Sequence, residues 1–70
     1  MLIKLDRVQD VGDFVKLAQT ELGDVILRTP AGRWVIDGKS LLGIFSLDLS
    51  HPIELELDSG NYAKFEQYRV

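Results

Sequence analysis

Asp37-Gly38-Lys39-Ser40-Leu41-Leu42-Gly43-Ile44-Phe45-Ser46-Leu47-Asp48-Leu49-Ser50 sits between two groups of strand-like segments, and its composition decides the fold. A polar corner, Gly38-Lys39-Ser40, leads into Leu41, Leu42, Ile44, Phe45, Leu47 and Leu49, relieved by Gly43, Ser46 and Asp48. The spacing predicts a short helix from about Lys39 to Leu47. His51-Pro52 ends it, because proline has no N–H to continue the hydrogen-bond ladder. Such a helix, laid on a sheet, buries Ile44 together with Leu41 and Leu47. The remaining apolar side chains are surplus, and an exposed apolar patch commonly marks an interaction site.

On the upstream side, Asp24 to Thr29 and Arg33 to Asp37 are rich in Val, Ile, Leu and Trp, and Pro30-Ala31-Gly32 between them is turn chemistry. Two strands so closely joined form an antiparallel hairpin. On the downstream side, Ile53, Leu55 and Leu57 alternate with Glu54, Glu56 and Asp58, a strand with one apolar and one acidic face. Ser59-Gly60-Asn61 then forms a loop, and Tyr62, Phe65 and Tyr68 at three-residue spacing predict a short terminal helix docking aromatic rings on the core.

At the amino end, Leu2 to Val8 alternates as a strand. From Asp10 the period changes, with Val11, Phe14, Val15, Ala18 and Leu22 recurring at helical steps. This predicts a helix from about Asp10 to about Leu22, capped by Asp10 and stopped by Gly23. The order is βαββαβα. It implies an α+β fold, an open-faced sandwich with a four-stranded antiparallel sheet and three helices on one face, spanning residues 1–70 as one domain.

Composition narrows the function classes. At 70 residues with no cysteine, the core is stabilised by packing alone, and thiol catalysis and thiolate metal sites are excluded. Met1-Leu2-Ile3-Lys4-Leu5-Asp6 breaks into charge at once, unlike a secretory leader, and no segment has the apolar length of a membrane span. A cytoplasmic protein without a membrane association is the expectation. The formal net charge of −3 disfavours direct nucleic-acid binding, which rests on Lys and Arg neutralising phosphates. A protein partner suits an acidic domain of this size better.

Gly38-Lys39-Ser40 is a near miss to the end of a phosphate-binding P-loop, but the nearest upstream glycine is Gly32, at the wrong spacing, and Trp34-Val35-Ile36 between them belong to a strand. His51, the single histidine, stands beside Pro52 as a solvated turn residue does. Glu54, Glu56 and Asp58 share a strand face, which usually means a solvated sheet surface and not a cation site. No nucleophile–base pair is visible, no cofactor or metal is implied, and an enzyme is not expected. Ser40 is placed at the N-terminus of the central helix, where a hydroxyl caps free amides and where a phosphate would also be accommodated.

Phe14-Val15-Lys16-Leu17-Ala18, Asp24-Val25-Ile26-Leu27 and Val35 through Leu47 together resemble HPr, the histidine-containing phosphocarrier family of the bacterial sugar phosphotransferase system. Lys39-Ser40-Leu41-Leu42-Gly43 with Ser46-Leu47 is similar to the family's regulatory-serine helix, and βαββαβα is the family's fold. The departure is at the first helix. The family carries Gly-x-His-x-Arg-Pro there, and counting back from Phe14 puts Arg7 in place of the phosphate-accepting histidine, Gln9 in place of the arginine and Asp10 in place of the proline. Arginine cannot act as the nucleophile. In this the chain is similar to the catabolite-repression HPr-like branch (Crh), which also lacks the histidine.

The resemblance implies a regulatory protein without phosphocarrier activity. It implies phosphorylation of Ser40 by HPr kinase/phosphorylase and binding of a LacI-type regulator in catabolite repression, through a surface that maps to Lys39, Leu41, Leu42 and Phe45. The alternative is an assembly domain that dimerises through the same helix, with Ser40 serving as a cap; a monomer or homodimer is expected accordingly. Burial of Leu42 and Phe45 would exclude either use of that surface.

Overall fold

In the computed structural model, which describes residues 1–70 apart from the side chain of Ala31, hydrogen bonding defines four strands: β1 (Leu2–Ile3), β2 (Val25–Arg28), β3 (Val35–Asp37) and β4 (Ile53–Leu57). They form one antiparallel sheet in the order β1-β4-β2-β3. Helix α1 (Val8–Ala18) follows β1 and helix α2 (Leu41–Phe45) follows β3; the chain closes with a 3-10 helix, Ala63–Tyr68. The α+β class and the four-stranded antiparallel open sheet agree with expectation. The last helix, however, is of the 3-10 type, and a second 3-10 turn, Pro30–Gly32, lies within the β2–β3 hairpin.

One face of the sheet is the core. The register pairs Ile3 with Ile53 and Leu27 with both Leu55 and Ile36, so these side chains share the face on which Val11, Phe14, Val15 and Ala18 of α1, Ile44 of α2, and Phe65 and Tyr68 are buried. Phe14 joins the helical layer together, its ring 5.3 Å from that of Phe65 and 5.7 Å, edge-on, from that of Tyr68. The opposite face carries Leu2, Ile26, Arg28, Val35, Glu54 and Glu56. There Glu54 accepts from the Met1 amine at 3.0 Å and Glu56 from Arg28 at 2.8 Å. Both carboxylates of β4 thus face cationic groups, and Asp58, expected on the same strand face, lies just beyond the end of β4. Asp58 accepts from the Asp24 N–H at 3.0 Å.

Several boundaries differ from expectation for identifiable reasons. β1 covers only Leu2–Ile3 of the expected Leu2 to Val8, and on its outer edge Lys4 N–H donates to the Tyr68 carbonyl and Val70 N–H to the Leu2 carbonyl, so the C-terminal residues run alongside it. Helix α1 starts earlier than expected, with Arg7 as N-cap. Asp10, expected as the cap, sits three residues in, and its carboxylate accepts from the Arg7 N–H at 3.1 Å, half of a capping box. The helix also ends earlier. The Thr20 hydroxyl donates to the Leu17 carbonyl at 2.6 Å and the chain tightens into a turn, leaving Leu22 fully exposed instead of on the apolar stripe. Gly23 is then needed for close approach, since a Cβ there would lie 2.7 Å from the Asp58 Cβ. Trp34 lies just before β3 and points away from the core, 60% exposed.

Candidate functional site

Asp37 organises the entry into α2. Its carboxylate accepts from the Lys39 N–H at 2.9 Å and its carbonyl from the Ser40 N–H at 3.0 Å, while the Gly38 N–H donates across to the Val25 carbonyl at 2.7 Å. The three amides of Gly38-Lys39-Ser40 are therefore committed to the fold and do not form a nest of open donors. Gly38 is buried against β2, and a Cβ there would come within 2.5 Å of Val25 Cγ1. The glycine that suggested a phosphate loop is in fact a packing requirement.

Helix α2 occupies Leu41–Phe45, shorter at both ends than the expected Lys39 to Leu47. Ser40 is its N-cap, in extended conformation, and its hydroxyl oxygen accepts from the Gly43 N–H at 3.0 Å. At the other end the Ser46 hydroxyl donates back to the Gly43 carbonyl and Leu47 N–H bonds to Ile44 O, which turns the chain out of the helix. Gly43 permits the packing of this turn on β3, as a Cβ would lie 2.9 Å from Ile36 Cγ2 and 3.0 Å from Ser40 Oγ.

The helix presents two faces. Ile44 is completely buried, whereas Leu42 is 82% exposed, Leu41 43% and Phe45 42%. Leu41, expected to turn inward with Ile44, instead joins Leu42 and Phe45 at the surface, and Leu47 is half-buried. Leu41, Leu42 and Phe45, the apolar residues that the resemblance maps to a partner surface, are thus together on one short helix, next to Ser40. Lys39 is placed differently: its amine donates to the Glu21 carbonyl at 2.8 Å and ties this corner to the turn after α1. The Glu21 carboxylate is held below its usual range by Lys64, 2.6 Å away, and by the Ser59 hydroxyl.

At the start of α1, where the resemblance would place a histidine, the Arg7 guanidinium bonds the Asp10 carboxylate at 2.9 Å. Arg7 holds Asp10 below the ordinary carboxylate range, and Asp10 raises Arg7 in turn. This helix end is closed by its own ion pair. Nearby the Tyr68 hydroxyl is buried without a partner among the described residues, and burial pushes its pKa up. His51 is exposed, its Nε2 4.0 Å from Asp48 Oδ2. It lies beyond the C-terminal end of α2, on the far side of that helix from Ser40. Ser50 donates from both its N–H and its hydroxyl to Asp48 and is the chief cause of that carboxylate's lowered pKa.

A second concavity does not include Ser40. A cleft of about 530 Å³ opens between the β2–β3 turn and the segment after α2, with Arg33 and Trp34 on one side and Asp48 and His51 on the other. The signal in the sequence was a lone tryptophan beside a Pro-Ala-Gly turn, which the strand pattern absorbed. Among the described residues no group of three or more His, Asp or Glu side chains is placed to hold a metal ion, and no helix is long and apolar enough to cross a membrane. No protein-family model, curated protein or solved structure matches this chain.

Proposed function

We propose that this chain is an HPr-like regulatory or adaptor domain, cytoplasmic and without histidine phosphocarrier activity, which is switched by phosphorylation at Ser40 and binds a protein partner through α2. The observation that carries this is the adjacency of the capping Ser40 to three exposed apolar side chains, Leu41, Leu42 and Phe45, on a helix that needs only Ile44 for the core. The βαββαβα order and the resemblance of Lys39 through Leu47 to a regulatory-serine helix support it. Arg7 at the histidine position supports the loss of phosphoryl transfer, because a guanidinium bonded to Asp10 offers no nucleophile.

The chemistry of the switch follows from the cap. A phosphate on Ser40 would give up the bond from Gly43 N–H to the hydroxyl oxygen and offer its own oxygens to the first-turn amides, which lack intrahelical partners. It would place a charge of about −1.5 to −2 beside an apolar patch. A partner that reads this state needs an apolar groove flanked by Lys or Arg, and the resemblance implies HPr kinase/phosphorylase as the modifying enzyme and a LacI-type regulator as the reader.

Incubation with HPr kinase and ATP followed by mass spectrometry tests the proposal: one phosphate on the wild type and none on Ser40→Ala is the expected result. An unmodified wild type would remove the switch. Ser40→Ala also loses the cap and costs about 1 kcal/mol of stability, read by urea denaturation. The same patch favours a second reading, a homodimer assembled through Leu42 and Phe45. Sedimentation of wild type and Leu42→Ser separates the two, since a dimer dispersed by the substitution favours assembly and a monomer favours a separate partner.

A further inference from the structure

We propose that the cleft between the β2–β3 turn and the segment after α2 binds a small aromatic carboxylate, its ring against Trp34 and its carboxylate on Arg33. The site is distinct from Ser40 and does not depend on the switch proposed for it. At about 530 Å³ the cleft falls within the range of small-molecule sites, about 300–1,000 Å³, and Pro30, Ile36 and Leu47 give it apolar walls.

The case for an aromatic body rests on Trp34. It is the single tryptophan of the chain, and its ring joins neither of the close aromatic contacts, which unite Phe14 with Phe65 and with Tyr68. Its backbone is nevertheless fixed. The Trp34 N–H donates to Thr29 Oγ1 at 3.0 Å and the Thr29 N–H donates to the Trp34 carbonyl at 3.1 Å. A large ring thus stands on an anchored backbone at the cleft instead of in the core, with its face open for a ligand to stack on.

The case for a carboxylate rests on Arg33. Of the four arginines, Arg7, Arg28 and Arg69 each bond a carboxylate of the chain, and Arg33 has none within ion-pair distance among the described residues. A guanidinium matches a carboxylate by two parallel hydrogen bonds. The acidic group in the opposite wall, Asp48, is turned to local partners. Its Oδ1 accepts from the Ser50 N–H and hydroxyl, and Oδ2 faces His51. Thr29 Oγ1 accepts the Trp34 N–H, which leaves its own proton for a ligand oxygen. On a chain of net charge −3, an anion needs such a local cation to approach at all. A phosphate without an apolar body would leave the Pro30, Ile36 and Leu47 walls unused.

The test titrates the 15N-labelled full chain with 2-naphthoate and, separately, with the uncharged isostere 2-naphthamide, following the one tryptophan indole resonance by NMR. The expected result is a saturable shift of the Trp34 indole with naphthoate and about tenfold or more weaker binding of the amide, as a charge-assisted pair implies. Arg33→Gln, at an exposed position that leaves the core intact, lowers naphthoate affinity to that of the amide. Three results would overturn the assignment: equal affinity for acid and amide, undiminished naphthoate binding by Arg33→Gln, or no saturable shift at the indole up to about 10 mM ligand.

Discussion

Substituting Ile44 by alanine and, separately, Leu42 by serine distinguishes the two faces of α2 within a single helical turn. Ile44 has no solvent exposure and belongs to the same buried cluster as Phe14 and Leu27. Removing most of its side chain from a packed site costs about 2–5 kcal/mol, the transfer term plus the cavity left behind. A chain of 70 residues has a total stability of only about 4–10 kcal/mol, so the loss is a large fraction of the whole. At about 4–8 °C per kcal/mol for a domain of this size, a loss of about 3 kcal/mol lowers Tm by about 12–24 °C. Leu42, 82% exposed, makes little contact with the core, and its replacement by serine changes stability by no more than about 0.5 kcal/mol. Far-UV circular dichroism during thermal and urea denaturation measures both. Comparable destabilisation by the two substitutions would refute the division of α2 into a core face and a free face, and with it the partner surface. A tolerant Ile44→Ala would refute the core assignment directly.

Two further outcomes can be checked by similar means. Gly38→Ala drives a methyl to within 2.5 Å of Val25 Cγ1 and should destabilise by about 1–3 kcal/mol; a denaturation midpoint equal to that of the wild type would show that the strand–helix corner is looser than its geometry requires. Stability should also fall on acidification. Asp10, Glu21 and Asp48 all have folded pKa values below their ordinary ones, so the stabilisation they bring is present above the usual carboxylate range and is lost as pH falls through their folded values. A Tm that declines below about pH 4 in the wild type and declines less in Asp10→Asn is the expected pattern, and identical acid limbs would discount the Arg7–Asp10 pair.

The elements with strong periodicity were legible before any coordinates. Ile53, Leu55 and Leu57 alternate as a half-buried strand does and are buried, and Val11, Phe14, Val15 and Ala18 mark the inner stripe of α1. The ends of α1 were not legible, because they depend on competing polar bonds. Asp10 is as good a first-turn acceptor as it is a cap, and only the position of the Arg7 amide selects between them. Thr20 can equally well continue a helix or bond back to Leu17. Leu22 and Trp34 were misplaced for a related reason: an apolar residue fits the periodic pattern whether or not the sheet reaches far enough to cover it. Within the candidate site, the Ser40 cap and the exposure of Leu42 and Phe45 followed from the apolar excess of α2. The cleft was invisible, since the Thr29–Trp34 turn and the Ser46–His51 segment meet only once β3 and α2 have packed.

The placement of β1 bears on how the molecule assembles. Its hydrogen-bonding partners are β4 on one side and residues 68–70 on the other, while its Ile3 shares a core with Phe65. The first strand pairs with segments far along the sequence, and closing so long a loop costs entropy before any contact repays it. During synthesis the amino-terminal segment must wait, at about 5–20 residues per second, for β4 and the terminal 3-10 helix to emerge. Folding is therefore expected to be a single late event in which β1, β4 and the aromatic rings of Phe65 and Tyr68 lock together. Substitutions in this distant partner segment, such as Phe65→Ala, should slow folding as well as weaken the folded state.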